Sequence, residues 1–533
     1  MAEEEVKERN FRSGTVLLSN SDAILKPPLP PHQASTLLIH IDNINNEHQN
    51  QHHRRHSSSS SQIYPTNSEF EDEPSSGLSQ QQGPKDEWLP ITESRNGNAY
   101  FAAFHVLNSN IGFQALMLPV AFATLGWAWG SVCLSLAFIW QLYTIFLLVE
   151  LHESVPGIRH SRFLVLAMAA FGKKLGKVAA LFPVSYLSGG TCVILIITGG
   201  GTLDLLFKTL CEKDNCTLHS LTGVQWYLIF TCIAILIAQL PNLNSMAAVS
   251  AVGSVAAIAY CTLFWAISVK TGKPNDDVSY STTMHGSNVA KANDVMNSIG
   301  IILLAFRGHN LILEIQGTLP SDSKEKSNVK MRRGVIISYA IIAMCVYPLA
   351  LPGFWAYGNQ ARILTSLIIC IYIEKDGLLT SFAHMHAHQV TKFTIGAMYF
   401  LVILHCLSSY QVYAMPFFDN IEFKITARKN NKCPRWVRTC IRLFFGGLTF
   451  FVAVAFPFLP SLSLLLGGIA FVPVSYAYPC FMWVAIKKPR TRSFAWCFNV
   501  VLGCLGMLIA ALLIASALKT LIDKRLNANF FKP

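Results

Sequence analysis

The chain is 533 residues long, 52% hydrophobic and only 14% charged, against about 25% charged residues in an ordinary soluble domain. Apolar runs of roughly twenty residues recur along most of it, which excludes a soluble protein and reads as a polytopic membrane protein. The net charge of +12 sits in short basic links between apolar runs, the positive-inside pattern rather than a nucleic-acid-binding face.

Residues 1–95 read as a disordered cytoplasmic tail, with an acidic start, the proline run Pro27-Pro28-Leu29-Pro30-Pro31, a serine run at 57–61 and Gln80-Gln81-Gln82. Such a composition buries too little apolar surface to offset chain entropy. His48, His52, His53 and His56 read as a solvated tract, the alternative being metal binding or pH sensing. The first apolar run arrives near Tyr100, so no signal peptide is read and the first span is expected to direct its own insertion.

The first span, about 99–123, carries Asn108-Ser109-Asn110-Ile111-Gly112-Phe113-Gln114 and then Leu118-Pro119, polar and glycine residues that predict an interrupted helix. The second, about 131–151, reads as a plain apolar helix. A basic loop follows, and the third span, about 178–207, holds Gly189-Gly190 and Gly199-Gly200-Gly201. Small residues there let neighbouring backbones approach, the alternative being a direct ligand role. The next loop contains Cys211 and Cys216 and the acceptor Asn215-Cys216-Thr217. A disulfide and glycosylation at Asn215 both suit a non-cytoplasmic face. The other twelve of the 14 cysteines are scattered singly and read as small core residues, and no Cys/His spacing predicts a metal site.

Spans four and five fall at about 224–240 and 246–269. The sixth, about 296–319, contains Ala305-Phe306-Arg307-Gly308-His309-Asn310-Leu311-Ile312-Leu313-Glu314. An arginine at the centre of a lipid-facing helix costs about 2.5–3.5 kcal/mol on insertion scales, and glycine loosens the helix further. This reads as a second broken helix with its polar groups facing inward. Spans seven to eleven follow at about 335–357, 393–418, 443–458, 462–486 and 495–521. Residues 363–373 are apolar but too short to span, and are assigned to the outer surface or to a segment against the bundle. With eleven spans and a cytoplasmic N-terminus, the inner loops hold clusters such as Lys173, Lys174, Lys177, Arg332, Arg333, Arg435, Arg438, Lys487 and Lys488, and the outer loops far fewer. Residues 96–523 then form the transmembrane domain and 524–533 a short extracytoplasmic tail.

The two interrupted spans lie five apart. That spacing points to an inverted five-helix repeat with a substrate site at the midplane, where helix N-termini attract a carboxylate and freed carbonyls accept an ammonium or cation. A zwitterionic amino acid matches both. The expected site is Asn110, Ile111, Gly112, Phe113, Gln114, Phe306, Arg307 and Gly308, with Ser409 of the eighth span. Gly112 and Gly308 read as break residues, the alternative being packing. Arg307 either clamps a substrate carboxylate, stands in for a cation, or pairs with a buried acid such as Glu150 or Asp204; Glu314 is two turns away, too far for a pair within one straight helix. His309 either relays protons or is a hydrogen-bonded structural residue. His105 reads as a gate or packing group, Glu314 as proton coupling or a brace for the broken helix. Ser408 and Ser409 either line the site or join helices.

The same residues carry a resemblance. Ala103-Phe104-His105, Leu118-Pro119, Leu125-Gly126-Trp127, Ala170-Phe171-Gly172, Gly308-His309-Asn310, Leu313-Glu314-Ile315-Gln316, Ser409-Tyr410-Gln411-Val412-Tyr413-Ala414-Met415-Pro416 and Pro479-Cys480-Phe481-Met482-Trp483 resemble the plant amino acid/auxin permeases, nearest the lysine/histidine transporter-like branch. The likeness runs from about 97 to 521 with one gap. It implies proton-coupled uptake of amino acids or related organic acids, on the fold of sodium-coupled amino-acid symporters. The chain departs from that pattern at Phe113-Gln114, where relatives have small residues, at Arg307, and over 361–391.

The function expected is therefore proton symport by alternating access in the plasma membrane, with an amino acid, a proton and the bilayer as partners and no cofactor, metal or nucleic acid. A non-transporting amino-acid sensor signalling through the tail is the alternative. No nucleophile–base set or nucleotide loop supports an enzyme.

Overall fold

The first crossing starts where Asn98 caps α1 (Ala99–Asn110), its side chain accepting the Phe101 N–H at 2.8 Å. The computed structural model describes residues 97–155, 158–211, 221–240, 246–271, 278–281, 287–321, 325–359, 361, 390–429, 433–524 and 530–531. All lie in the second of two units of the chain, Asn67–Pro533. The expected tail, Asn215, Cys216 and the segment 363–373 lie outside the described residues.

After α1 the chain is extended at Ile111 and Gly112, then tightens into a 3-10 turn, Phe113–Met117. It continues into α2 (Leu118–Leu151), which bends sharply at Gly126 (φ 73°, ψ 179°) and so holds the end of crossing one and all of crossing two. A short α3 (Phe163–Phe171) precedes crossing three, built from α4 (Lys173–Ser185), a π turn at Tyr186–Gly190 and α5 (Thr191–Leu210). Pro183 lies inside α4 and removes one backbone donor just before that turn. Crossings four and five are α6 (Gly223–Ala238), which starts on a Thr222–Gln225 capping box, and α7 (Ala247–Thr271).

Crossing six is α8 (Asn288–Leu304), an extended stretch, a 3-10 turn at His309–Leu311 and α9 (Ile312–Gly317). Then come α10 (Ser327–Tyr357), α11 (Lys392–Lys429) and α12 (Arg435–Ala455). Crossing ten combines α13 (Ser463–Leu466), two π turns at Gly467–Phe471 and Pro473–Ala477, and α14 (Tyr478–Lys487). Helix α15 (Phe494–Lys524) is last.

Eight of these helical stretches are long and apolar enough to cross a membrane, and α6 is a shorter apolar helix. Crossing six and the first half of crossing one, each interrupted, complete the eleven expected from sequence. Among the described residues there is no strand, and the architecture is the all-helical polytopic one anticipated, with its two breaks five crossings apart.

Glycines set how closely helices pack around crossing three. A methyl on Gly199 or Gly200 would run into Phe230 or Tyr227 of α6, whereas one on Gly201 would meet nothing, which favours the packing reading for the first two glycines of the triplet. Large buried aromatics, among them Phe122, Phe306, Phe354, Tyr339 and Tyr476, fill the interior around the two breaks.

Candidate functional site

The two breaks meet. Ile111 and Phe306 form an isolated antiparallel bridge, and the Arg307 N–H donates to the Asn110 carbonyl at 3.4 Å. Each break thus satisfies part of the backbone that the other leaves unbonded. Gly308 turns left-handed (φ 90°, ψ 0°), and a Cβ there would sit 2.7 Å from Ser109 Oγ and 2.8 Å from Asn110 Nδ2. Only glycine suits both the angle and the space. Gly112 is ordinary extended backbone (φ −94°, ψ 158°); a Cβ on it would meet the ends of two long side chains, Gln114 Oε1 at 2.8 Å and Arg307 Cδ at 3.3 Å.

That contact places Gln114 and Arg307 over the first break. Gln114 is buried, and among the described residues its Oε1 has no hydrogen-bond partner. The phenols of Tyr186, on the π turn of crossing three, and Tyr413, on α11, lie within electrostatic reach of the Arg307 guanidinium. The Tyr413 hydroxyl also donates to the Ser109 carbonyl at 2.8 Å. The two acids weighed as ion-pair partners for Arg307 are engaged elsewhere: Glu150 with Lys487 at 2.9 Å and Asp204 with Lys208 at 2.7 Å.

Other expected residues spread around this centre. Asn110 donates from Nδ2 to Val106 O (2.8 Å) and accepts from Tyr339 OH (3.1 Å), so its side chain braces the end of α1. Phe306 turns its ring away into an aromatic cluster, edge-on to Phe138 at 5.9 Å. Of Phe113 only the backbone is described. Ser409 Oγ donates to Asn108 O at 3.2 Å, and Ser408 accepts from Asn108 Nδ2 at 3.0 Å while donating to Val249 O at 2.6 Å. These two serines join crossings one, five and eight. His105 meets Ser250 Oγ at 2.7 Å between α1 and α7. Cys211 is disulfide-bonded.

His309 sits apart from Arg307 in a clamp that sequence reasoning missed, because crossing two looked uniformly apolar. Gln141 Nε2 donates to His309 Nδ1 at 3.0 Å, and Tyr476 OH donates to Gln141 Oε1 at 2.7 Å. Thr144 Oγ1, whose own proton goes to the Trp140 or Gln141 carbonyl, accepts from His309 Nε2 at 2.9 Å. The ring is therefore held as the neutral tautomer protonated on Nε2. Gln141 and Thr144, two polar groups three residues apart in an apolar span, were the available signal.

Glu314 lies away from the breaks, at the end of crossing six, near Arg162 and Asp419. Arg162 donates from Nε (2.9 Å) and Nη2 (2.7 Å) to Asp419 Oδ2, tying the loop before α3 to α11. Beside it, Arg159 donates to the Leu319 carbonyl at 2.8 Å and pairs with Glu153 at 3.1 Å. Gly97 N donates to Thr318 O at 3.0 Å. The basic-loop end of crossing six is thus fastened to the loop before α3 and to the residue that precedes the α1 cap. In the same loop, burial holds His160 below its ordinary value, and among the described residues neither ring nitrogen has a hydrogen-bond partner.

Residues 95–519 match the family model described as transmembrane amino acid transporter protein. The chain is 48% identical over 450 residues to lysine histidine transporter-like 8 of Arabidopsis thaliana, covering 84% of each. It is 45% identical over 451 residues to lysine histidine transporter-like 7 of the same plant, covering 84% of this chain and 90% of that one. Among solved structures, the substrate-bound outward-open state of a Na+-coupled sialic acid symporter aligns at TM-score 0.48 and 12% identity, over 82% of this chain and 93% of that one.

Proposed function

Because this chain belongs to the transmembrane amino acid transporter family, we propose that it is a secondary active transporter that moves amino acids or amino-acid-like organic acids together with protons by alternating access. The observation that carries this reading is the meeting of two broken crossings at Ile111 and Phe306. Broken helices are tolerated in a membrane only where protein or a water-lined path satisfies the backbone, and they recur at transporter binding sites. Gly112 is the centre of the proposed substrate site. The Arg307 guanidinium beside it takes the substrate carboxylate, and the unpaired Gln114 Oε1 takes the ammonium. Names of relatives speak of lysine and histidine; a fixed cation at Arg307 favours neutral or acidic side chains in this chain.

The proposed orientation puts the N-terminus, the Arg162–Asp419 pair and the basic loops in the cytoplasm, with the protein in the plasma membrane. Alternating access then requires the cytoplasmic fastening around crossing six to open while the substrate site closes outward.

The test is uptake into proteoliposomes across a full panel of labelled amino acids, with and without an inward proton gradient. Uptake faster under the gradient is expected. Uptake of none of the panel refutes transport; uptake indifferent to the gradient refutes proton coupling.

A further inference from the structure

We propose that His405, on α11, is the coupling-proton site, and that its protonation is read by the first break through Ser409. This rests on the proton-symport reading above. His405 is buried in the middle of crossing eight, where an ionisable group is costly without a task. Its Nδ1 faces the Gly253 carbonyl of α7 at 3.2 Å. A carbonyl only accepts, so Nδ1 carries a hydrogen in either protonation state. Nε2 faces Ser409 Oγ at 3.3 Å, and the backbone of Ile111, at the break itself, lies within electrostatic reach of the ring.

Ser409 has one hydrogen and two places to put it. In the neutral state it donates to the Nε2 lone pair. When a proton from the extracytoplasmic side binds Nε2, that N–H donates to Ser409 Oγ. The hydroxyl then rotates to donate to Asn108 O (3.2 Å) or Asn108 Oδ1 (3.4 Å). A continuous donor chain His405–Ser409–Asn108 is then added to the Ser408–Asn108 and Tyr413–Ser109 bonds between crossing eight and the last turn of α1, and this added chain exists only while the proton is bound. Release of that proton to the cytoplasmic side breaks it. No covalent bond other than N–H forms or breaks.

The surroundings suit this use. A methyl on Gly253 would strike Asn108 and Ser408, so glycine lets crossing five reach the junction. The titratable groups about the ring are the Tyr260 phenol of α7, edge-on at 5.7 Å, with the Cys261 and Cys345 thiols behind it on α7 and α10 and Cys406 on α11 itself. Among the described residues no charged side chain acts on His405. His309 is the contrasting case. Its Nδ1 already accepts from an amide whose oxygen is taken by Tyr476, so a second proton requires the whole Gln141 amide to flip.

The experiment uses the full chain in proteoliposomes with membrane potential clamped at zero. Tritiated alanine, glutamate and histidine are the probes, in two assays: exchange at equal pH, and accumulation under an inward proton gradient. One proton per substrate gives wild-type accumulation of about tenfold per pH unit. His405→Gln is expected to keep exchange and to lose accumulation, its ratio falling to about one. A driven wild type with an equally driven H405Q overturns the His405 assignment alone. A wild type that exchanges no probe or ignores the gradient overturns the symport reading, and this assignment with it. Should H405Q fail to fold, Ser409→Ala carries the test: the ring stays and the relay goes, so the pH midpoint of exchange shifts. A midpoint unchanged from wild type overturns the proposal.

Discussion

Gly308 and Gly112 look equivalent in the sequence, one in each break, yet the structure assigns them very different tolerances. In Gly308→Ala the residue must hold φ 90°, which costs a non-glycine residue about 1–2 kcal/mol. Its Cβ would also sit 2.7 Å from Ser109 Oγ and 2.8 Å from Asn110 Nδ2. Those two groups already donate to Val106 O, at 3.1 and 2.8 Å, so moving them loses one or two hydrogen bonds at about 0.5–1.5 kcal/mol each. The total is about 1.5–5 kcal/mol, roughly one to over three orders of magnitude in the population of the bridged state. Gly112→Ala keeps an angle any residue adopts and displaces the Gln114 amide, with a lesser push on the flexible Arg307 side chain, for about 1 kcal/mol or less. The assay is thermal unfolding in detergent together with substrate exchange in proteoliposomes. G308A should lose both stability and exchange, while G112A keeps its stability and changes the order of preferred substrates. A G308A protein as stable and active as G112A would refute the geometry on which this reasoning rests.

Other expectations concern charge. Arg307→Ala should weaken carboxylate-bearing substrates by about 1.5–3 kcal/mol and leave the corresponding amides unchanged in competition binding; an equal loss for both refutes the clamp. Arg162→Ala removes the guanidinium that holds Asp419, 2% exposed, beside Glu314. Breaking such a pair costs about 3–5 kcal/mol, so thermal unfolding should show R162A well below both wild type and the R162A/D419N double variant, and three equal midpoints contradict this. His160 has a depressed value when folded, so the unfolded loop gains a proton as pH falls through about 6.5 while the folded loop does not. Its contribution to stability is present above that pH and lost below it. Hydrogen-exchange protection factors at residues 158–162, corrected for the intrinsic pH dependence of exchange, should fall between pH 7.5 and 5.5, and His160→Asn should abolish the difference.

The crossings and both breaks were legible because each is a local matter. Twenty apolar residues must cross or be buried, and Asn108 to Gln114 or Arg307 to Asn310 must leave the helix or face inward. Gly308 could be marked as a break residue for the same reason. Its left-handed angle and its fit against Ser109 and Asn110 could not, since those neighbours are two hundred residues away in the chain. Crossing two shows the converse failure. Its hydropathy hid Gln141 and Thr144, whose importance lies wholly in the His309 ring they hold.

By itself, then, the sequence determined an all-helical membrane protein with two interrupted crossings five apart, since hydropathy and backbone satisfaction act along the chain. Only the tertiary structure decided which polar groups meet. Phe306 turns into an aromatic cluster, Arg307 reaches over Gly112, Glu314 lies near the Arg162–Asp419 pair, and His405 reaches Gly253, 152 residues away. The physical reason is that a hydrogen bond or charge inside a membrane is worth what its partner makes it, and that partner is chosen by helix packing.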